Sequence, residues 1–345
     1  MILFVTAIIW GMAFVSQSKG MEYMEPLTFN GVRSLIGAAV LLNFLGLTKR
    51  RKNDKTKNRK SKEYDNPQSS EYQNRQSNQG LIQQSEKYNN SKSGQLVGGS
   101  YWKTAVLGGV FCGIALTIAS TLQQFGIQYT TVGKSGFITT LYILFVPFLG
   151  LFLKRKVRRI VWLAAVIAIT GMYLLCMTSS SFAINPGDFL TFLCAIAFAV
   201  HILIIDHYTT KVDGCLLSMI QFSVCGLICT TGALLFENPS FDVLIAGIWP
   251  LLYAGVLCCA VAYTLQIIGQ KGLNPTIAAL VMSLESVVAA LAGYGAYQIG
   301  ILQTDQTLTA RQIWGCVMVF AAVTLVQLPE RKKEKSHAAN YDRRG

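Results

Sequence analysis

One carboxylate stands alone in the apolar run Thr276–Gln298: Glu285, with about ten apolar or small residues on either side. A carboxylate at bilayer depth costs several kcal/mol unless it meets a partner, water or a proton. Glu285 is therefore expected to face a protein interior or a wet cavity. There it could carry a proton or hold a cationic group; the plainer reading is a hydrogen-bonded structural acid. Gln123, Gln124 and Gln266 are amides inside apolar runs. They can donate and accept, and so could line a site or glue helices together. Trp10, Tyr142, Tyr263 and Tyr294 could form an aromatic wall for apolar or cationic ligands, although aromatics in membrane helices commonly serve packing. Lys134 sits at the mouth of its run, where it could draw in an anion or mark the interface. His201 is a lone imidazole on an apolar helix, a site residue or a packing residue with one hydrogen bond. Arg33 lies about five residues inside its run and can snorkel or pair with carbonyls. Asp188 and Arg311 fall at run starts and read as interfacial.

Other chemistries lack their residues. Nine cysteines are present, but no set of Cys, His, Asp and Glu has metal-ligand spacing, so they read as small packing residues and no metal is expected. No Gly-rich phosphate loop is present, which argues against ATP-driven transport within this chain. No Ser/His/Asp set at a shared depth suggests a hydrolase. The expectation is no enzyme, no cofactor and no nucleic acid.

The positioning elements follow from composition. The 345 residues are 52% hydrophobic and 14% charged, against about 25% charged in soluble domains. Ten runs approach the ~20 apolar residues that cross a bilayer. They are Ile2–Gln17, Thr28–Leu47, Thr104–Ile127, Gly133–Leu153, Val157–Met177, Gly187–Tyr208, Cys215–Phe236, Leu244–Gln270, Thr276–Gln298 and Gln312–Leu328. Met1–Ser16 lacks a basic region and a cleavage site and is read as the first helix rather than a leader. Pro147 should kink the fourth helix.

The net charge of +13 reads as topology. The loop after the second helix, with its flanks, holds 13 Lys/Arg, the loop after the fourth holds 5 and the C-terminus holds 6. Every rich segment follows an even-numbered helix. The positive-inside rule then puts both termini and the 48–100 loop in the cytoplasm of a multi-pass plasma-membrane protein. Thr48–Ser100 is Lys-, Asn-, Gln- and Ser-rich with few apolar residues, so a disordered linker is expected.

Splitting the ten runs after the fifth gives two sets of five. Five is odd, so the second set enters from the opposite side. The expectation is an all-α integral membrane protein of two inverted repeats, residues 1–47 with 101–178 and residues 187–328, followed by a basic tail at 329–345. At an offset of 143, Thr121-Leu122-Gln123, Gly126, Leu141 and Gly150 match Thr264-Leu265-Gln266, Gly269, Leu284 and Gly293, 6 identities in 31 positions. At an offset of 152, Arg159 and Trp162 match Arg311 and Trp314. Inverted repeats are a recurrent plan of secondary transporters, with a site near midplane between the halves.

Trp10-Gly11, Arg33, Gly133-Lys134-Ser135-Gly136-Phe137 leading to Val146-Pro147, and Leu284-Glu285 resemble the EamA-type transporters of the drug/metabolite transporter superfamily. The resemblance covers both five-helix sets. It implies an exporter or exchanger of small metabolites, amino acids or amphipathic compounds. Ser286 stands where many relatives have proline. The expected partners are a small-molecule substrate, the lipid bilayer and protons as a candidate coupling ion, for a monomer or a homodimer. The competing reading is a non-transporting membrane scaffold or sensor that acts through the linker.

Overall fold

The computed structural model describes residues 1–64, 99–130, 132–154, 157, 159–176, 186–302 and 309–327. Among these, every regular element is a helix. Lipid cannot satisfy a backbone N–H or C=O, so an apolar chain crossing it must bond within itself. The helices are α1 Ile2–Gly20, α2 Pro26–Tyr64, α3 Gly99–Ile127, α4 Val132–Phe152, α5 Arg159–Cys176, α6 Pro186–Tyr208, α7 Gly214–Phe236, α8 Ile248–Gln270, α9 Pro275–Gln298 and α10 Ala310–Gln327. A short helix, Phe241–Ala246, precedes α8.

Eight of these are long and apolar enough to cross a membrane. The fifth and tenth expected spans are helices as well, but their apolar stretches are only Arg159–Gly171 and Ile313–Ala322. The expected disorder from Thr48 needs correction, because α2 continues to Tyr64. Residues 48–64 contain no Gly or Pro, the first being Pro67. Extending an existing helix avoids the cost of nucleation. The rest of that stretch, 65–98, and the basic tail lie outside the described residues.

Two helices are interrupted near their middles. In α4 the helix stops at Thr140 and resumes at Tyr142; in α9 it stops at Met282 and resumes at Glu285. The expected disturbance at Pro147 is thus preceded by a break at Leu141. Hydroxyls account for both interruptions. Thr140 Oγ1 donates to Phe137 O at 2.9 Å and Ser283 Oγ to Leu280 O at 2.7 Å. The next amides turn tightly, Leu144 N to Leu141 O at 2.9 Å and Ser286 N to Ser283 O at 3.1 Å. A side-chain hydroxyl that bonds back along its own helix competes with the i→i−4 ladder, and short i→i−3 turns result. In α8, Tyr253–Ala262 is wound as a π-helix, a form that concentrates at functional sites.

Close helix approach rests on small residues. A Cβ at Gly11 would meet Glu285 O at 2.8 Å, so α1 lies directly against the α9 break. A Cβ at Gly171 would meet Gly315 O at 2.8 Å, locking α5 onto α10. The other extensive pairings are α2 with α7, α3 with α6 and α7, α1 with α8 and α9, and α4 with α6. The start of α2 is held by Glu237 at the end of α7, whose carboxylate accepts from Leu27 N at 2.8 Å, Thr28 N at 2.7 Å and Thr28 Oγ1 at 2.6 Å.

Candidate functional site

The two breaks meet in the interior of the bundle. Tyr142, first residue of the second half of α4, donates its Oη to Glu285 Oε1 at 3.0 Å. Glu285 is first residue of the second half of α9. An acid in the first turn of a helix faces the positive end of its dipole. The carboxyl is buried, 4% exposed, and Tyr142 is 2% exposed.

Around this pair lies a narrow cavity of about 30 Å³. Its lining comes from seven helices: Trp10, Phe14 and Gln17 of α1, Arg33 of α2, Gln123 of α3, Thr139 and Tyr142 of α4, Phe198 and Ile202 of α6, Cys258, Tyr263 and Gln266 of α8, and Glu285 of α9. Trp10 and Tyr263 form its aromatic side, ring centroids 4.8 Å apart. Gln123 Nε2 donates to Thr139 Oγ1 at 3.2 Å, two residues before the α4 break.

Some polar groups here are buried without a protein partner. Gln17 Oε1 and Gln266 Oε1 accept from nothing among the described residues. Arg33 is 5% exposed, with its guanidinium carbon 5.3 Å from the Phe29 ring centroid and no carboxylate within ion-pair distance among the described residues. A buried polar atom without a partner is costly unless water or a ligand supplies one. The site therefore offers an acid with a phenol, an unpaired cation, two acceptor oxygens and an aromatic wall. Groups of these kinds meet cationic, anionic and apolar parts of a ligand.

Six residues expected to act together are brought together: Glu285, Gln123, Gln266, Trp10, Tyr142 and Tyr263. His201 is not in the lining. It is fully buried behind Tyr263, ring centroids 6.1 Å apart, with Nε2 3.1 Å from Gln221 Oε1. Lys134 is also elsewhere, since its Nζ reaches Asp188 Oδ2 at 2.5 Å and ties α4 to the start of α6. Gln124 donates to Gln17 O at 3.3 Å. Tyr294 is 38% exposed on the outside of α9, and Arg311 packs 5.3 Å over the Tyr173 ring. Arg33 lines the cavity, although its place near a helix end favoured a structural role. Gln17 and Thr139 went unremarked in the sequence. Thr139 is a polar side chain inside an apolar run, the same signal that singled out Gln123, whereas Gln17 closes its run.

The sequence model of the EamA-like transporter family matches residues 1–61 and 185–328. A protein of Archaeoglobus fulgidus described as an uncharacterized transporter is 30% identical over 222 residues, 63% of this chain and 67% of that protein. A protein of known crystal structure, 14% identical, superposes with a TM-score of 0.63 over 94% of this chain and 95% of its own. That likeness concerns the fold.

Proposed function

The chain belongs to the EamA-like transporter family and is a multi-pass membrane transporter; from that premise we propose that it moves a small organic solute by alternating access between two inverted five-helix repeats. The repeats are residues 1–47 with 101–178 and residues 187–328. The substrate cavity is the one around Tyr142 and Glu285, and Arg33, Gln123, Gln266, Trp10 and Tyr263 are its contact residues. Direction is outward, by export or exchange, with protons or a counter-substrate as the driving partner. Both termini and the 48–100 loop face the cytoplasm.

The observation that carries this reading is the Tyr142–Glu285 hydrogen bond, which joins two interrupted helices across the interior. Broken helices that meet near midplane are the usual binding architecture of secondary transporters, because freed backbone groups and half-helix dipoles are tolerated only where they line a cavity. The helix pairings add support. Exchange each helix for the one five places on, and α1–α9 becomes α6–α4 and α3–α6 becomes α8–α1. The pairs α2–α7 and α5–α10 map onto themselves. Such self-consistency is what a duplicated, inverted bundle requires. The asymmetric Lys/Arg distribution of the loops supports the orientation.

The test begins with a thermal-shift screen of the purified chain against amino acids, nucleosides, polyamines and cationic drugs, since a ligand of the folded state raises Tm by mass action. Hits are then followed as counterflow in proteoliposomes. Saturable counterflow of a hit, lost when the cavity is altered, is the expected result. Binding without any counterflow would reject the transport step.

A further inference from the structure

Between α3, α4 and α6 lies a second concavity, about 750 Å³ and open to the outside of the bundle. Phe111, Phe152, Leu153, Val200, Leu203 and His207 are among its lining. It is separate from the central cavity. On α6 the central cavity takes Phe198 and Ile202, whereas this groove takes Val200, Ile204 and His207. At about 100° per residue the two sets lie roughly half a turn apart. The groove therefore faces lipid, and Phe111, Phe152, Leu153 and Val200 are all exposed there. From Val200 to His207 it runs about 10 Å along α6, against about 15 Å of hydrocarbon in one leaflet.

Its apolar length ends in a basic rim. His207 Nε2 is 2.8 Å from Lys211 Nζ, and that amine lies 5.7 Å from the ring centroid of Tyr208, which also lines the groove. Just past the end of α4 the lining residue Leu153 is followed by Lys154, in sequence the start of the basic run Lys154–Arg159. The acids at this end of α6 are Asp206, which does not line the groove, and Asp213, which caps α7 by accepting from Leu216 N at 3.0 Å.

We propose that this groove binds one anionic phospholipid, an acyl chain along Phe111, Val200 and Leu203 and the phosphate at Lys211 and His207. An apolar trough that opens to lipid and ends in an amine and an imidazole matches the two ends of such a molecule. Placing it in the cytoplasmic leaflet rests on the orientation proposed above; the lipid site itself does not. Clustered basic side chains at that depth attract anionic headgroups.

The experiment is native mass spectrometry of the detergent-purified full chain with phosphatidylglycerol or phosphatidylcholine of the same acyl chains. The wild type is expected to retain one phosphatidylglycerol about fivefold or more in preference to phosphatidylcholine. The double variant His207→Gln with Lys211→Gln should bind both lipids alike. Val200→Trp, a change on the exposed wall, should lower retention of both. Equal retention of the two lipids by the wild type, or a preference that survives the double variant, overturns the proposal. So does undiminished retention by Val200→Trp, which would put the lipid elsewhere. A transport defect in the same chains leaves these readings unaffected, because none of them measures flux.

Discussion

Tyr142 and Glu285 are 143 residues apart in the chain and 3.0 Å apart between Oη and Oε1. The same offset relates Leu141 to Leu284, Thr140 to Ser283 and Gln123 to Gln266. Equivalent positions of the two matching segments thus touch each other, a phenol in one and an acid in the other. Glu285→Gln keeps the shape of this contact and removes the titratable group. Its expected effect is loss of proteoliposome flux, and of any pH dependence of flux, with normal insertion and yield. Normal, pH-dependent flux in Glu285→Gln removes this acid from the mechanism.

Tyr142→Phe removes only the donor. A hydrogen bond to a charged or strongly polar group is worth about 1.5–3 kcal/mol, so flux should fall about tenfold to a hundredfold. The double variant should lose little more than Glu285→Gln alone, because both changes delete one interaction. Additive losses in that cycle would mean that the two side chains act separately.

Arg33 offers a guanidinium to the cavity with no carboxylate in ion-pair distance among the described residues. If it holds an anionic part of the substrate, Arg33→Gln should raise KM by about tenfold to a hundredfold and leave Tm within a few degrees, with Arg33→Lys intermediate. A large fall in Tm with unchanged KM in the remaining folded protein assigns Arg33 to the scaffold instead.

Glu285 could be found from sequence because a lone acid at bilayer depth must have a reason to be there. The same logic applied to Arg33 was weakened by its apparent closeness to a helix end. With α2 beginning at Pro26 rather than Thr28, Arg33 lies a half-turn deeper than the run suggested. His201 gives the same polar-in-apolar signal as Gln266, yet one bonds Gln221 within the protein and the other lines the cavity. Only the facing helices decide which, and a single apolar run carries no record of its neighbours. The breaks at Leu141 and Leu284 escaped because neither has Gly or Pro at it. Their cause is a hydroxyl bonding back to its own helix, which Thr and Ser do in many unbroken helices too. Helix α2 outran its apolar stretch because water-soluble residues continue a helix well where nothing stops it.

Gly11 lies where a Cβ would come within 2.8 Å of Glu285 O. Gly11→Val must push α1 off the α9 break. Overpacking of this kind costs about 1–3 kcal/mol. The expected outcome is a lower Tm together with loss of flux, whereas Gly133→Ala, at a glycine with open space around it, should change neither. Full flux in Gly11→Val would show that α1 and α9 can separate without harm to the site.

Glu237 tests the scaffold apart from the site. Its carboxylate accepts three hydrogen bonds at the start of α2, two from the backbone amides of Leu27 and Thr28 and one from the Thr28 hydroxyl. Those amides have no helical acceptor, and Pro26 ahead of them has no N–H to satisfy. Glu237 does for α2 what an N-cap residue does locally, but from the far end of α7, and so also fastens the two helices together. Loss of such a cap costs about 1–2 kcal/mol, and the negative charge facing the helix dipole adds to it. Glu237→Ala should therefore lower Tm by about 2–6 °C, and Glu237→Gln, which keeps acceptor and shape but not charge, by less. Glu237 does not line the central cavity, so substrate KM should stay at the wild-type value in both variants. A Tm unchanged in Glu237→Ala would mean that water replaces the carboxylate at the α2 terminus. An altered KM would mean that the α2–α7 contact is coupled to the cavity through Arg33, which lies about one and a half turns further along the same helix.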